Sequence, residues 1–146
     1  MRYINVRNAS TQSDLGTRVG VADNFFLRLR GMIARPKLEE GQGLLIKPCQ
    51  AVHMQFMSQP LDVVMVSALG RVLALYPNLQ PRDKTKWHGA ARYAIELPPG
   101  TISRTDTRVG DEVTLNSHPL NRNGRRRRDV REGSGNRQPQ NAEEKS

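Results

Sequence analysis

Apolar residues gather most densely between Gly43 and Tyr76, as Leu44-Leu45-Ile46, Leu61 to Ala68 with one acid, and Val72 to Tyr76. Aliphatic and β-branched runs of four to eight residues, bounded by Pro and Gly, are the pattern of strands buried on both faces. Ala68-Leu69-Gly70 between the last two runs predicts a hairpin turn, with Gly70 free to take positive φ. On the N-terminal side, Tyr3 to Arg7 alternates well enough for a half-buried strand. Thr17 to Val21 predicts a second, after a polar turn around Ser13 and Asp14. Asp23 then stands as an N-cap before a short helix of about two turns. Phe25, Phe26 and Leu29 supply its apolar stripe, Arg28 and Arg30 lie where the helix dipole favours cations, and Gly31 is the C′ residue.

A connection from Arg35 to Gly43 leads to strands at Gly43–Ile46 and Ala51–Met57, separated at Pro48. After the hairpin, Pro77 to Gly89 is polar, with two prolines and three Lys/Arg, and predicts a loop. Ala91 to Leu97 predicts a strand ended by Pro98-Pro99-Gly100, residues 101–111 a connection, and Glu112 to Leu115 a last strand. Seven or eight short strands and one short helix define a mainly β chain, a small barrel-like or sandwich domain. From Asn116 onward apolar side chains nearly vanish and Gly, Asn, Gln and Arg dominate. Such a segment cannot bury enough surface to offset its ordering entropy, so residues 1–116 are expected to form the domain and residues 117–146 a disordered tail.

Length and composition fit this division. A chain of 146 residues has room for one domain that folds without staples. The single cysteine excludes an internal disulfide and fits a reducing compartment. No stretch approaches the eighteen apolar residues of a membrane span, and no secretory h-region opens the chain, so a soluble, cytoplasmic protein is expected. Charge changes the picture more. The formal net charge is +9, and the last thirty residues carry eight Lys/Arg against four Asp/Glu. An anionic partner follows from that balance, with nucleic acid or another polyanion as the class.

Five segments, in order, resemble the prokaryotic family known as domain of unknown function 192. They are Arg28 to Arg35 with its Gly-Met pair, Gly43 to Ile46, His53 to Val64 with Pro60-Leu61-Asp62, Ala91 to Gly100, and Val109-Gly110-Asp111. His53 stands where many members have Trp. The resemblance spans about residues 3–115 and implies a compact β-rich, barrel-like domain with a helix across it and no established activity.

Candidate chemistry is sparse. Asp62 opens an otherwise apolar strand, so its carboxylate is expected to be buried and must be paired, hydrogen-bonded or neutral. It serves either as an acid, base or ligand acceptor, or as a structural acceptor for backbone N–H groups or an arginine such as Arg28 or Arg30. Glu96, flanked by apolar residues, would make a two-carboxylate site with Asp62 if the two converged. His53 and Gln55 share a strand face and would line a pocket together. Cys49, His53, Met54 and Met57 are residue types that suit a soft metal. In an extended strand, however, Cys49 and His53 lie roughly 13 Å apart at about 3.3 Å per residue, so no metal site and no cofactor are expected. No nucleophile elbow, phosphate loop or dinucleotide fingerprint occurs. Arg125 to Arg128 are the anion-binding candidates, or else part of a solvated tail with no dedicated partner, and Trp87-His88 in the basic loop Arg82 to His88 would add a stacking platform. The chain is therefore expected to be a small binding or accessory domain with a basic tail. The alternatives are a hydrolase-like enzyme using Asp62 with Glu96 or His53, and a non-specific nucleic-acid-associated protein.

Overall fold

The computed structural model describes residues 1–24, 37–54 and 57–117. The chain is mainly β. Among the described residues the strands are β1 (Arg2–Asn8), β2 (Ser13–Ala22), β3 (Gln42–Ile46), β4 (Leu61–Ser67), β5 (Val72–Leu79), β6 (Ala91–Leu97) and β7 (Val113–Ser117), with one short helix, α1 (Thr101–Arg104), between β6 and β7. They form a seven-stranded sheet in the order β5-β4-β6-β3-β2-β1-β7. Every neighbouring pair is antiparallel except β2 and β3, whose parallel register sets Gly20 beside Leu44.

The sheet is curled into a half-barrel. Register shifts in β1 and β4 mark irregularities of the kind that tighten twist and bend strands. The curl brings the two edge strands together at one corner. There the Val72 amide donates to Asp111 O at 2.8 Å, Gly110 N to Val72 O at 2.8 Å and Val113 N to Gly70 O at 2.7 Å.

Two apolar layers result. Inside the curl, every strand and α1 contribute to one core, which includes Val6, Val19, Leu45, Val64, Ile95, Ile102 and Val113. Outside it, Leu61, Val63 and Met65 of β4 and Ala94 of β6 pack under Cys49, Val52 and Met54. The double-sided burial expected of Leu61–Ser67 follows from this, since β4 is covered on both faces over its first six residues.

Several elements differ from expectation. Ala51–Met57 is not a strand of the sheet. Its described part runs beside residues 82–88 with a single bridge, His53 to Lys84, and irregular bonds such as Met54 N to Asp83 O. Val52 and Met54 point into the outer core, so His53 between them faces solvent and is not a core residue. β5 continues through Pro77 to Leu79. Proline is tolerated because β5 lies at the sheet edge, where one side of the strand has no ladder to feed. The first turn falls at Ala9–Gln12 rather than at Ser13 and Asp14, because the Asn8 side chain accepts the Ser10 and Thr11 amides and folds the chain there. The expected connection at 101–111 contains α1. The helix expected after Asp23 lies outside the described residues from Phe25 onward, as do the tail residues from His118.

A buried polar seam holds the corner. Asn8, fully buried, donates to Thr107 Oγ1 at 3.1 Å and Asp111 Oδ2 at 3.0 Å. The Asn8 amide, and then the Arg108 N–H, hold the Asp111 carboxyl below its usual range. Thr107 and Thr105 share a hydrogen bond of 2.7 Å, and Thr105 Oγ1 donates to Thr101 O.

Gly70 shows how tightly the corner closes. Its φ is 84°, and a Cβ there would sit 2.7 Å from the Val113 carbonyl oxygen. Gly70→Ala is therefore expected to destabilise the fold by about 1–3 kcal/mol in urea unfolding. Gly89→Ala, outside the left-handed φ region and with Trp87 Nε1 in ordinary contact at 3.8 Å from the new Cβ, should stay within about 0.5 kcal/mol.

Candidate functional site

Asp62 is the deepest carboxylate facing the interior. It is the second residue of β4 and is paired across to Leu97 of β6, so it points inside the curl, and it is 0% exposed. Oδ1 accepts the Asn78 amide at 2.8 Å and Oδ2 accepts the Ile102 amide at 2.8 Å. The Ile102 donor belongs to the first turn of α1, whose N-terminus begins at a left-handed Gly100 with no side-chain cap of its own. Helix starts leave amides unsatisfied, and here a carboxylate from a distant strand takes one. One buried charge thus joins the far end of β5, the helix and the central strand.

Glu96 is buried as deeply, at 1% exposed, but on the other side. It is paired with Val63 and Leu44, whereas Asp62 is paired with Leu97. Residues paired across an antiparallel ladder share a face, and consecutive residues alternate faces. Asp62 therefore faces the inner core and Glu96 the outer one, with the sheet backbone between them. The convergence that a two-carboxylate mechanism requires does not occur.

His53 joins neither. It is exposed on the outer segment, opposite Lys84. Gln55, Arg28 and Arg30 lie outside the described residues, as do Arg125, Arg126, Arg127 and Arg128. Of the soft-metal set, Cys49, Met54 and Met57 pack in the outer core, where the Cys49 thiol donates to Ala51 O at 3.1 Å, whereas His53 faces water. Among the described residues no three His, Cys, Asp or Glu side chains are grouped to hold a metal ion. No helix among them is long and apolar enough to cross a membrane.

The structure also gives His88 a partner, Tyr76, and assembles Thr85 with Val52, pairings that the sequence reading did not single out. Tyr76 Oη lies 2.6 Å from His88 Nε2, with the rings edge-to-face at 5.7 Å, and Tyr76 Oη accepts the Lys86 amide. Buried Thr85 exchanges bonds with Val52, accepting its amide at Oγ1 and donating its own amide to Val52 O. These contacts fasten the loop after β5, and they carry no local sequence signature because their partners come from three separate stretches.

The described residues thus form a curled β half-barrel with a core on each side, whose inner carboxylate serves its own backbone. The chain belongs to the domain of unknown function 192 family, described as Uncharacterized ACR, whose model matches residues 6–115. A UPF0127 protein of Thermococcus sibiricus (strain DSM 12597 / MM 739) is 33% identical over 101 residues, covering 66% of this chain and 64% of the relative. The match thus spans a little under two thirds of that relative's length. Two solved structures share the fold. One is a protein of Sinorhizobium meliloti 1021 provisionally named a transcription regulator, with TM-score 0.63, 21% identity, 79% of this chain and 96% of that one. The other is a protein of unknown function from Novosphingobium aromaticivorans DSM 12444, with TM-score 0.61, 20% identity, 77% of this chain and 83% of that one. At those identities the likeness is one of fold.

Removing the Asp62 carboxylate orphans two backbone donors, each costing roughly 1–3 kcal/mol. Asp62→Ala is expected to lower stability by about 2–4 kcal/mol in urea unfolding. A soluble variant that melts as the parent does would show that the carboxylate does not hold α1 and β5.

Proposed function

We propose that this chain is a small non-catalytic binding domain that engages polyanions through its arginine-rich C-terminal segment. The observation that carries the non-catalytic half is the use of Asp62. Both of its oxygens accept backbone amides, and Glu96 and His53 stand elsewhere, so the carboxylate pairings of a hydrolase lack their geometry. The binding half rests on charge. Residues after Asn116 hold eight Lys/Arg against four Asp/Glu, with Arg125 to Arg128 consecutive. β7 also runs along the sheet edge with all but its first residue exposed, so the segment leaves the domain at its surface. Nucleic acid is the polyanion that best matches a run of arginines, contacted at phosphates without base readout. The provisional name of the Sinorhizobium meliloti neighbour points in the same direction for that protein.

A salt titration of DNA binding, with the full chain and with a chain ending at Ser117, tests this. Ser117 is the right end point because it pairs with Ile4 in β7. Four arginines on four phosphates predict a log–log salt slope steeper by about 3.6 in the full chain, at about 0.9 per phosphate. Melting of the shortened chain should stay within about 0.5 kcal/mol of the parent. Equal affinity and slope in the two chains would remove the tail from the proposal, and a strong preference for one DNA sequence would remove its charge-only character.

A further inference from the structure

The loop between β5 and β6 combines rigidity with an exposed aromatic ring. Trp87 is 72% exposed, although exposing an indole forgoes a large burial gain. Looseness does not explain it, because the loop is fastened on both sides of Trp87. Upstream, Met54 N donates to Asp83 O at 2.8 Å and Thr85 N to Val52 O at 2.9 Å. Downstream, His88 N donates to Gln50 O at 2.8 Å, Gln50 Nε2 to Gly89 O at 3.0 Å, and the His88 ring is held by Tyr76. The backbone is therefore set while the indole projects. Gly89 and Ala90 beside it have no side chain large enough to cover the ring, and the indole Nε1 lies 3.8 Å from where a Cβ on Gly89 would be.

The surroundings are cationic. Arg82, Lys84 and Lys86 are exposed in the same loop, and exposed His53 stands opposite Lys84. Asp83 is the loop's acid, and it is engaged in its own turn, accepting the Gln80 amide. A bare indole among cations suits a partner that presents flat rings and negative charge together. Unpaired nucleotides do so, whereas a duplex keeps its base faces stacked inside. A lipid surface would ask for further apolar side chains beside the tryptophan, and the loop offers Lys86 and His88 instead.

We propose that the 80–90 loop is a stacking platform for single-stranded nucleic acid, with Trp87 receiving a base and Arg82, Lys84 and Lys86 flanking its phosphates. This deepens the polyanion proposal, on which it rests for the class of partner, and moves part of the contact onto the folded domain. Trp87 is the chain's one tryptophan, so its emission reports this loop alone.

The test uses the full chain and three labelled probes: an oligothymidylate, an abasic strand of equal length and a duplex. Anisotropy reads binding, and Trp87 emission reads the loop. Oligothymidylate is expected to quench the emission, and the abasic strand and duplex to bind without quenching it. Trp87→Ala should weaken oligothymidylate binding by about 5- to 150-fold, the range of one stacked base. It should leave the other two probes unchanged, and Trp87→Phe should restore part of the loss. Binding of oligothymidylate with no quenching, or with no effect of Trp87→Ala, overturns the platform while leaving the tail proposal standing. Equal quenching by the abasic strand overturns it as well, showing a charge contact. Quenching that persists while the tail cut leaves the salt slope unaltered supports the platform and removes the tail.

Discussion

A carboxylate shut away from water must find donors inside the protein, and Asp62 finds them on two separate elements, β5 and α1. Its amide partners, Asn78 near the end of β5 and Ile102 in the first turn of α1, are far apart in the chain and adjacent only because the sheet curls. The curl in turn lets α1 contribute Ile102 to the inner core. Burial raises the cost of leaving this charge unsatisfied, so the interaction is demanding as well as stabilising. The edge closure around Gly70, Val72, Asp111 and Val113 and the Asn8 seam act beside it, joining the two rims of the sheet at one corner.

The division of the sheet into two faces governs what chemistry the molecule can hold. β4 and β6 are covered on both sides, so each polar residue in them belongs to one core or the other. Asp62 faces inward and Glu96 outward, although both lie near the same end of neighbouring strands. A reaction needing both carboxylates would have to act through the backbone. Binding, by contrast, asks only for surface. The exposed surface of the described residues includes the cationic loop bearing Trp87 and the edge strand β7.

Much of the architecture was legible in the residues. The apolar runs at Leu44–Ile46, Leu61–Ser67 and Ala91–Leu97 mark buried central strands because only a strand covered on both faces tolerates such continuous hydrophobicity. Gly70 marks the hairpin because the turn needs a left-handed residue. The five segments in order that mark the domain of unknown function 192 family carry enough of the pattern to identify the fold. Other features were misread where tertiary position overrides local preference. Pro77 reads as a strand stop, yet at a sheet edge its missing N–H has no partner to disappoint. Val52 and Met54 read as part of a strand, yet they lie over the outer core as a covering segment.

What the sequence alone determined is where most of the strands lie, their apolar content and the accumulation of arginine after the last one. These follow from local periodicity and composition, which act over a few residues. Which residues meet was decided by the tertiary structure. Register set the opposite faces of Asp62 and Glu96, since a one-residue slip of either strand would bring both to the same face. Curvature brought Asn8 to Thr107 and Asp111, and Tyr76 to His88, across intervals that leave no periodic trace. The exposure of His53 and Trp87 was decided in the same way, by which neighbours turned inward to fill the space beneath them.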